Sequence, residues 1–173
     1  MSQIYKRVLG VDPGLTRCGV GVVEGAIGQP LTLIGVGVIL TPPDAALEMR
    51  LLQLESELEE WIALHKPTVI AVERVFSQHN VRTVMGTAQA AGLAMVNGAR
   101  SGCQVFTYTP TQVKASVTGS GKADKRQIGR MIAKICGLSS PPEPADASDA
   151  VALAICHLWR GGADEKIRKR AVS

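Results

Sequence analysis

Apolar residues in the first forty positions are interrupted by turns rich in glycine and proline, a pattern that predicts three successive strands. We expect these strands at residues 6–12, 18–23 and 31–40, with a turn at Pro13-Gly14 after the first of them. Short connections between consecutive strands are typical of antiparallel pairing. The chain is therefore predicted to begin with an antiparallel meander.

Beyond Pro43 the pattern alternates between a helical period and short continuous apolar runs. The helical period covers residues 44–64, with Asp44 as the expected N-cap. The continuous run at 68–73 is typical of a central parallel strand covered on both faces, and residues 104–108 are expected to form another strand. Further helices are expected at residues 80–100, 110–117, 123–136 and 146–160.

These elements predict a single α/β domain. Its core is a mixed five-stranded sheet, in which three antiparallel strands are followed by parallel strands, and helices flank the sheet. A chain of 173 residues is long enough to bury a substantial core in one domain. We expect the domain to span residues 1–160 and the basic segment 161–173 to form a flexible tail.

Composition narrows the classes of function. Aromatic residues make up only 3% of the chain, which argues against a surface of several rings for stacking single-stranded nucleic acid. The cysteines lack the spacing of a zinc site and indicate a reducing compartment. The two longest uncharged stretches, 25–43 and 83–99, are broken by proline and glycine or only weakly apolar. We expect a cytoplasmic protein with neither a signal peptide nor a membrane partner.

The net charge of +4 is distributed unevenly. Residues 1–100 carry 8 lysines and arginines against 9 acids, whereas residues 101–173 carry 11 against 6. A basic second half favours a polyanionic partner. Candidate phosphate contacts lie around the flexible loop 118–121 and on the helix that follows it: Lys114, Lys122, Lys125, Arg126 and Arg130. A solvated helix face would explain the same residues equally well.

Acidic residues stand where strands end and where the last helix begins. Asp12 and Glu73 each end an apolar run, and Asp146 and Asp149 lie three residues apart and so share a helix face. If the topology gathers these side chains at one edge, four carboxylates would repel one another unless a cation neutralises them. Oxygen ligands select Mg²⁺ or Mn²⁺, and two such ions can act together on a phosphodiester.

Most of these acids also have a purely structural explanation. Asp12 could stabilise the Pro-Gly turn, and Asp146 and Asp149 could serve the dipole of the helix that they begin. Glu73 is harder to explain in this way, because an acid that ends a run of buried aliphatic residues is costly without a role. The ordered set is therefore more informative than any single acid.

Motifs for nucleotide-dependent enzymes are incomplete. The segment 116–123 (SVTGSGKA) resembles a phosphate loop, but Ser116 replaces its first glycine and Ala123 its final Ser/Thr. Gly19-Val20-Gly21 lacks the third glycine of a dinucleotide fingerprint, and the sequence has no GxSxG nucleophile elbow. A nucleotide-driven motor, a dehydrogenase and a serine hydrolase are therefore disfavoured.

Three segments together resemble the RuvC family, the bacterial crossover junction endodeoxyribonucleases or Holliday-junction resolvases. They are residues 8–14 (VLGVDPG), 69–73 (VIAVE) and 145–150 (ADASDA), and they have the family's order and spacing. The resemblance implies a ribonuclease-H-like fold and a homodimer. It also implies Mg²⁺- or Mn²⁺-dependent, paired cleavage of four-way DNA junctions to a 5′-phosphate and a 3′-hydroxyl, in recombination and repair. The RuvA–RuvB branch-migration complex is the implied partner.

The resemblance also implies roles for individual positions. The carboxylates of Asp12, Glu73, Asp146 and Asp149 would bind two metal ions and carry out catalysis. Lys114 and Lys125 would contact the DNA, and Phe76 would stack on a base near the crossover as a wedge. The helix at about 80–100, which is rich in glycine and alanine, would form the dimer interface.

Three other functions remain open on the sequence. They are junction binding without catalysis, an ATPase of the actin-like or sugar-kinase type, and RNA processing by a ribonuclease-like relative. The length argues against the ATPase, because such proteins need two domains of this kind. Nicking assays on the Asp12→Asn variant would test the first alternative, and a comparison of RNA hairpins with DNA junctions would test the third.

Overall fold

Five strands form one mixed sheet in the computed structural model, which describes residues 5–75 and 81–171. The strands are β1 (Lys6–Asp12), β2 (Arg17–Gly25), β3 (Thr32–Leu40), β4 (Val69–Glu73) and β5 (Gln104–Tyr108). Their spatial order is β3-β2-β1-β4-β5. The first three strands pair antiparallel, and β4 is parallel to both β1 and β5. The predicted fold class is confirmed.

Helices cover both faces of this sheet. They are α1 (Leu47–His65), α2 (Val81–Arg100), α3 (Pro110–Thr118), α4 (Lys125–Cys136) and α5 (Ala145–Ala171). Leu9 and Val11 of β1 belong to the apolar core beneath α1 and α2, whereas Val8 belongs to the core beneath α3, α4 and α5. This alternation follows from the two-residue period of a strand. None of the helices in the described ranges has the length and apolarity needed to cross a membrane.

The predicted start of α1 and the predicted end of α5 are both wrong. The backbone N–H of Ala45 bonds to the carbonyl of Pro42 and closes a turn, so α1 begins at Leu47 with Ala46, not Asp44, as its N-cap. Helix α5 continues to Ala171, and residues 161–171 are helical where a flexible tail was expected. An ion pair between Glu165 and Lys6 of β1 ties this part of the helix to the sheet.

Helix α5 crosses β1 and β2 at backbone contact distance. A Cβ atom added to Gly10 would lie 2.9 Å from the carbonyl carbon of Ala150, and one added to Gly19 would lie 2.8 Å from that of Asp146. Real Cβ atoms essentially never come within 3.0 Å of such atoms. Glycine at these two positions therefore allows the helix to lie directly on the strands. The contact at Gly19 places the start of α5 beside the end of β1.

Candidate metal centre

The parallel pairing of β1 and β4 places two predicted site residues at the same edge of the sheet. Val11 is paired with Val72, so Asp12 and Glu73, the next residue of each strand, end their strands side by side. The first turns of α5 bring Asp146 and Asp149 to this edge, where both raise the pKa of Asp12. The structure thus gathers all four predicted carboxylates in one region.

Three of the four carboxylates form a close group. Asp12, Asp146 and Asp149 are half-buried, and each offers one oxygen atom such that all three oxygens lie within 4.8 Å of one another. Oxygen atoms at these separations can share one divalent cation. Glu73 is not a member of this group, but its charge still contributes to the pKa of Asp12. The geometry therefore defines a three-aspartate centre with a glutamate next to it.

The electrostatics of the centre favour a bound cation. Burial, followed by the charges of Glu73, Asp149 and Asp146, raises the pKa of Asp12 from 3.8 to about 8. Burial and the charge of Asp149 raise the pKa of Glu73. Both shifts mean that the ionised carboxylates lack compensating positive charge. The residues present therefore fit a divalent cation, which would supply that charge.

Two basic side chains form ion pairs with the aspartates of α5. The Lys125 Nζ atom donates to Asp149 Oδ2 at 3.1 Å, and this hydrogen bond raises the pKa of Lys125. The Arg17 Nε atom donates to Asp146 Oδ2 at 2.7 Å. Sequence reasoning did not find Arg17. The predicted hairpin could have indicated this arginine, because β2 begins with it and then pairs with the end of β1 beside Asp12.

The predicted DNA-contacting residues Lys114 and Lys125 lie on α3 and α4, two helices whose N-termini are capped. Thr109 and Gln112 form a capping box at the start of α3, and Asp124 and Gln127 form another at the start of α4. Each box satisfies backbone N–H groups that the first helical turn leaves without partners. Lys125 is the first residue of α4, so its position depends directly on the second box.

The remaining predicted DNA-contacting residues occupy different surroundings. Lys114 is half-buried on α3, and its charge lowers the pKa of Glu73, which places it near the centre. Lys122, Arg126 and Arg130 are exposed on α4 and the loop before it. The contacts found within residues 5–75 and 81–171 do not join these three side chains to the carboxylates. Phe76 lies outside the described residues.

A mixed sheet of this topology, with carboxylates gathered from the ends of β1 and β4 and the start of α5, is typical of cation-dependent nucleases with a ribonuclease-H-like fold. A family model described as crossover junction endodeoxyribonuclease RuvC matches residues 8–157. This chain belongs to the RuvC family. The match confirms the predicted family and the predicted enzyme class, an endodeoxyribonuclease that resolves Holliday junctions.

Curated relatives and solved structures agree with this assignment. The chain is 61% identical over 165 residues to the crossover junction endodeoxyribonuclease RuvC of Salinispora arenicola, covering 95% of this chain and 94% of the relative. It is 60% identical over 163 residues to that of Streptomyces avermitilis, covering 94% and 93%.

Two structures of Thermus thermophilus RuvC are each 29% identical in sequence to this chain. The first superposes with a TM-score of 0.83 over 93% of this chain and 97% of the other. The second, a complex with Holliday junction substrate, has a TM-score of 0.86 and covers 92% and 96%. These matches extend over almost the whole fold, so they support the predicted ribonuclease-H-like architecture.

Proposed function

We propose that this protein cuts four-way DNA junctions by paired, symmetric nicks in a reaction that requires Mg²⁺ or Mn²⁺. Two ions per site would be held by Asp12, Glu73, Asp146 and Asp149. The observation that carries the proposal is the group of three aspartate oxygens within 4.8 Å of one another. The raised pKa values of Asp12 and Glu73 support it, because they mark a site that lacks positive charge.

The cations would activate a water molecule and stabilise the charge that develops on the attacking and leaving oxygens. The chain's own residues would hold the ions, position the DNA and balance charge. Lys125 reaches Asp149 and lies close enough to lower the pKa of Asp12, so its ammonium group is placed to balance negative charge at the centre. Lys114 has the same effect on Glu73.

Other residues would bind the DNA away from the reacting phosphate. The exposed side chains of Lys122, Arg126 and Arg130 would contact backbone phosphates along α4, which position the duplex without reading its sequence. Phe76 would act as the base wedge, a role that rests on the resemblance to the family. The relative from Thermus thermophilus was solved with a Holliday junction substrate, which supports this kind of DNA as the ligand.

A twofold dimer would supply two such centres, one for each of two opposing strands of the junction. We propose α2 as the dimer helix. It is rich in small residues, and the apolar side chains of Met85 and Val96 are 66% and 50% exposed on it. A RuvA–RuvB complex would deliver the mobile junction. The free cysteines fit the reducing cytoplasm as the setting.

A synthetic mobile four-way junction with one labelled strand at a time tests the proposal. We expect symmetric nicks in two opposing strands with Mg²⁺ or Mn²⁺, and no nicks in EDTA. Asp12→Asn should abolish nicking and retain junction binding, whereas Asp44→Asn, an exposed control, should retain both nicking and binding. Failure of the wild-type protein to cut any junction with either metal would refute the proposal. Preferential cutting of RNA hairpins would assign a different substrate.

A further inference from the structure

An open cavity of about 430 Å³ lies on the β2–β3 side of the carboxylate group. It is found where β2 begins and β3 ends, because Arg17 and Leu40 are paired across these two strands. Its lining includes Thr16, Arg17 and Gln53. The predicted DNA-contacting residues that the structure describes, all of them lysines and arginines, do not line this cavity, so it is separate from the surface that they form.

Arg50 of α1 lies next to this cavity, where two threonines that line it accept hydrogen bonds from its guanidinium group. Its Nε atom donates to Thr41 Oγ1 at 3.0 Å, and its Nη2 atom donates to Thr16 Oγ1 at 2.7 Å. Thr41 is itself buried and donates to the carbonyl of Leu15 at 2.6 Å. A guanidinium group has five N–H donors, so these two bonds set its orientation and use only part of its capacity. The arginine is thus preorganised for an anion.

Arg17 connects this cavity to the carboxylate group. It lines the cavity, and its guanidinium group donates to Asp146 Oδ2 at 2.7 Å, so one residue borders both sites. Its side chain is 50% exposed, which leaves it accessible to a ligand. Thr16, which lines the cavity, is hydrogen-bonded to Arg50 and precedes Arg17 in the chain, so both arginines lie next to it.

We propose that Arg17 and Arg50 form a phosphate subsite for the DNA strand that is cut. It would bind a backbone phosphate on the β2 side of Asp12, whereas Lys114 acts on Glu73 on the β4 side. Basic groups would then hold the strand on both sides of the carboxylates, which would position the phosphate between them. The hydroxyl group of Thr16 offers a further hydrogen bond to the phosphate. This inference rests on the proposed function.

Junction binding in EDTA, measured by fluorescence anisotropy over a range of salt concentrations, tests the subsite without cleavage. Arg50→Gln should weaken binding about fivefold and lower the slope of log K against log salt by about 0.9, the value for one lost phosphate contact on B-DNA. Arg17→Gln should have an effect of the same kind. Lys66→Gln is the matched control, because it removes one charge from an exposed residue before β4, at the opposite edge of the sheet.

The binding measurements distinguish failure of the subsite from failure of the proposed function. Arginine variants that bind with the affinity and salt slope of Lys66→Gln would overturn the subsite while the proposed function stands. Wild-type protein that binds no junction would overturn the proposed function and the subsite with it. Thermal unfolding of each variant shows whether it is folded. If Arg50→Gln is not folded, Arg17→Gln decides the question, because the side chain of Arg17 is half exposed.

Discussion

The raised pKa of Asp12 makes the stability of the metal-free protein depend on pH in a defined direction. The pKa is about 8 in the folded protein against the ordinary value of 3.8, so the folded state binds this proton more tightly than the unfolded state does. The stabilisation is fully present below about pH 4 and is lost as the pH rises toward 8. Asp12→Asn removes this ionisation while keeping the shape of the side chain.

The magnitude follows from proton linkage. One proton bound in the folded state and absent from the unfolded state changes the free energy of unfolding by at most about 1.4 kcal/mol per pH unit. Between pH 5 and pH 7 the wild-type protein should therefore lose up to about 3 kcal/mol relative to Asp12→Asn. The raised pKa of Glu73 acts in the same direction, but it remains in both proteins and largely cancels from the comparison.

Urea denaturation in EDTA at pH 5, 6, 7 and 8 measures this difference. Asp44→Asn is the control, because Asp44 is exposed and its substitution should leave the pH dependence unchanged. Added Mn²⁺ should stabilise the wild-type protein more at pH 8 than at pH 6, since the cation competes with the proton on Asp12. If the stability of the wild type and of Asp12→Asn depended equally on pH, the raised pKa of Asp12 would be refuted.

Two further substitutions act on the same centre. Gly19→Ala should cost about 1–3 kcal/mol in urea denaturation and weaken Mn²⁺ binding, because the new Cβ pushes the start of α5 away from Asp12. Gly162→Ala, in open space on the same helix, should be neutral or stabilising by up to about 1 kcal/mol, and equal effects of the two would contradict the contact. Arg17→Gln should tighten Mn²⁺ binding in calorimetry without DNA, because Asp146 loses its competing cation. Arg50→Gln should not, and weaker binding in Arg17→Gln would contradict the competition.

The location of the carboxylates could be predicted because it follows from general rules of topology. The run that ends at Asp12 and the run that ends at Glu73 read as strands of one sheet, and the carboxyl ends of adjacent parallel strands meet at one edge. The acids at the start of α5 stand out through their three-residue spacing. The grouping of three aspartates with Glu73 outside it could not be predicted, because it depends on side-chain directions.

Other features depended on contacts between distant parts of the chain. The pair formed by Arg17 and Asp146 joins residues 129 positions apart, and neither residue indicates the other in the sequence. The basic residues of segment 161–173 predict a flexible tail, yet Glu165 pairs with Lys6 and α5 continues to Ala171. At the end of α5, tertiary contact therefore outweighs local propensity.

The backbone contact between α5 and the glycines of β1 and β2 determines which partner must change shape when DNA binds. At Gly10 and Gly19 the backbone of α5 lies directly on the strands, with no side chains between them. The helix therefore cannot slide along the strands by rearranging side chains. Asp12 and the first turns of α5 should therefore move as one stiff body. Any deformation needed to bring a phosphate to the centre should then occur in the nucleic acid. Sequences that deform easily should be cut faster, even at base pairs that no side chain touches.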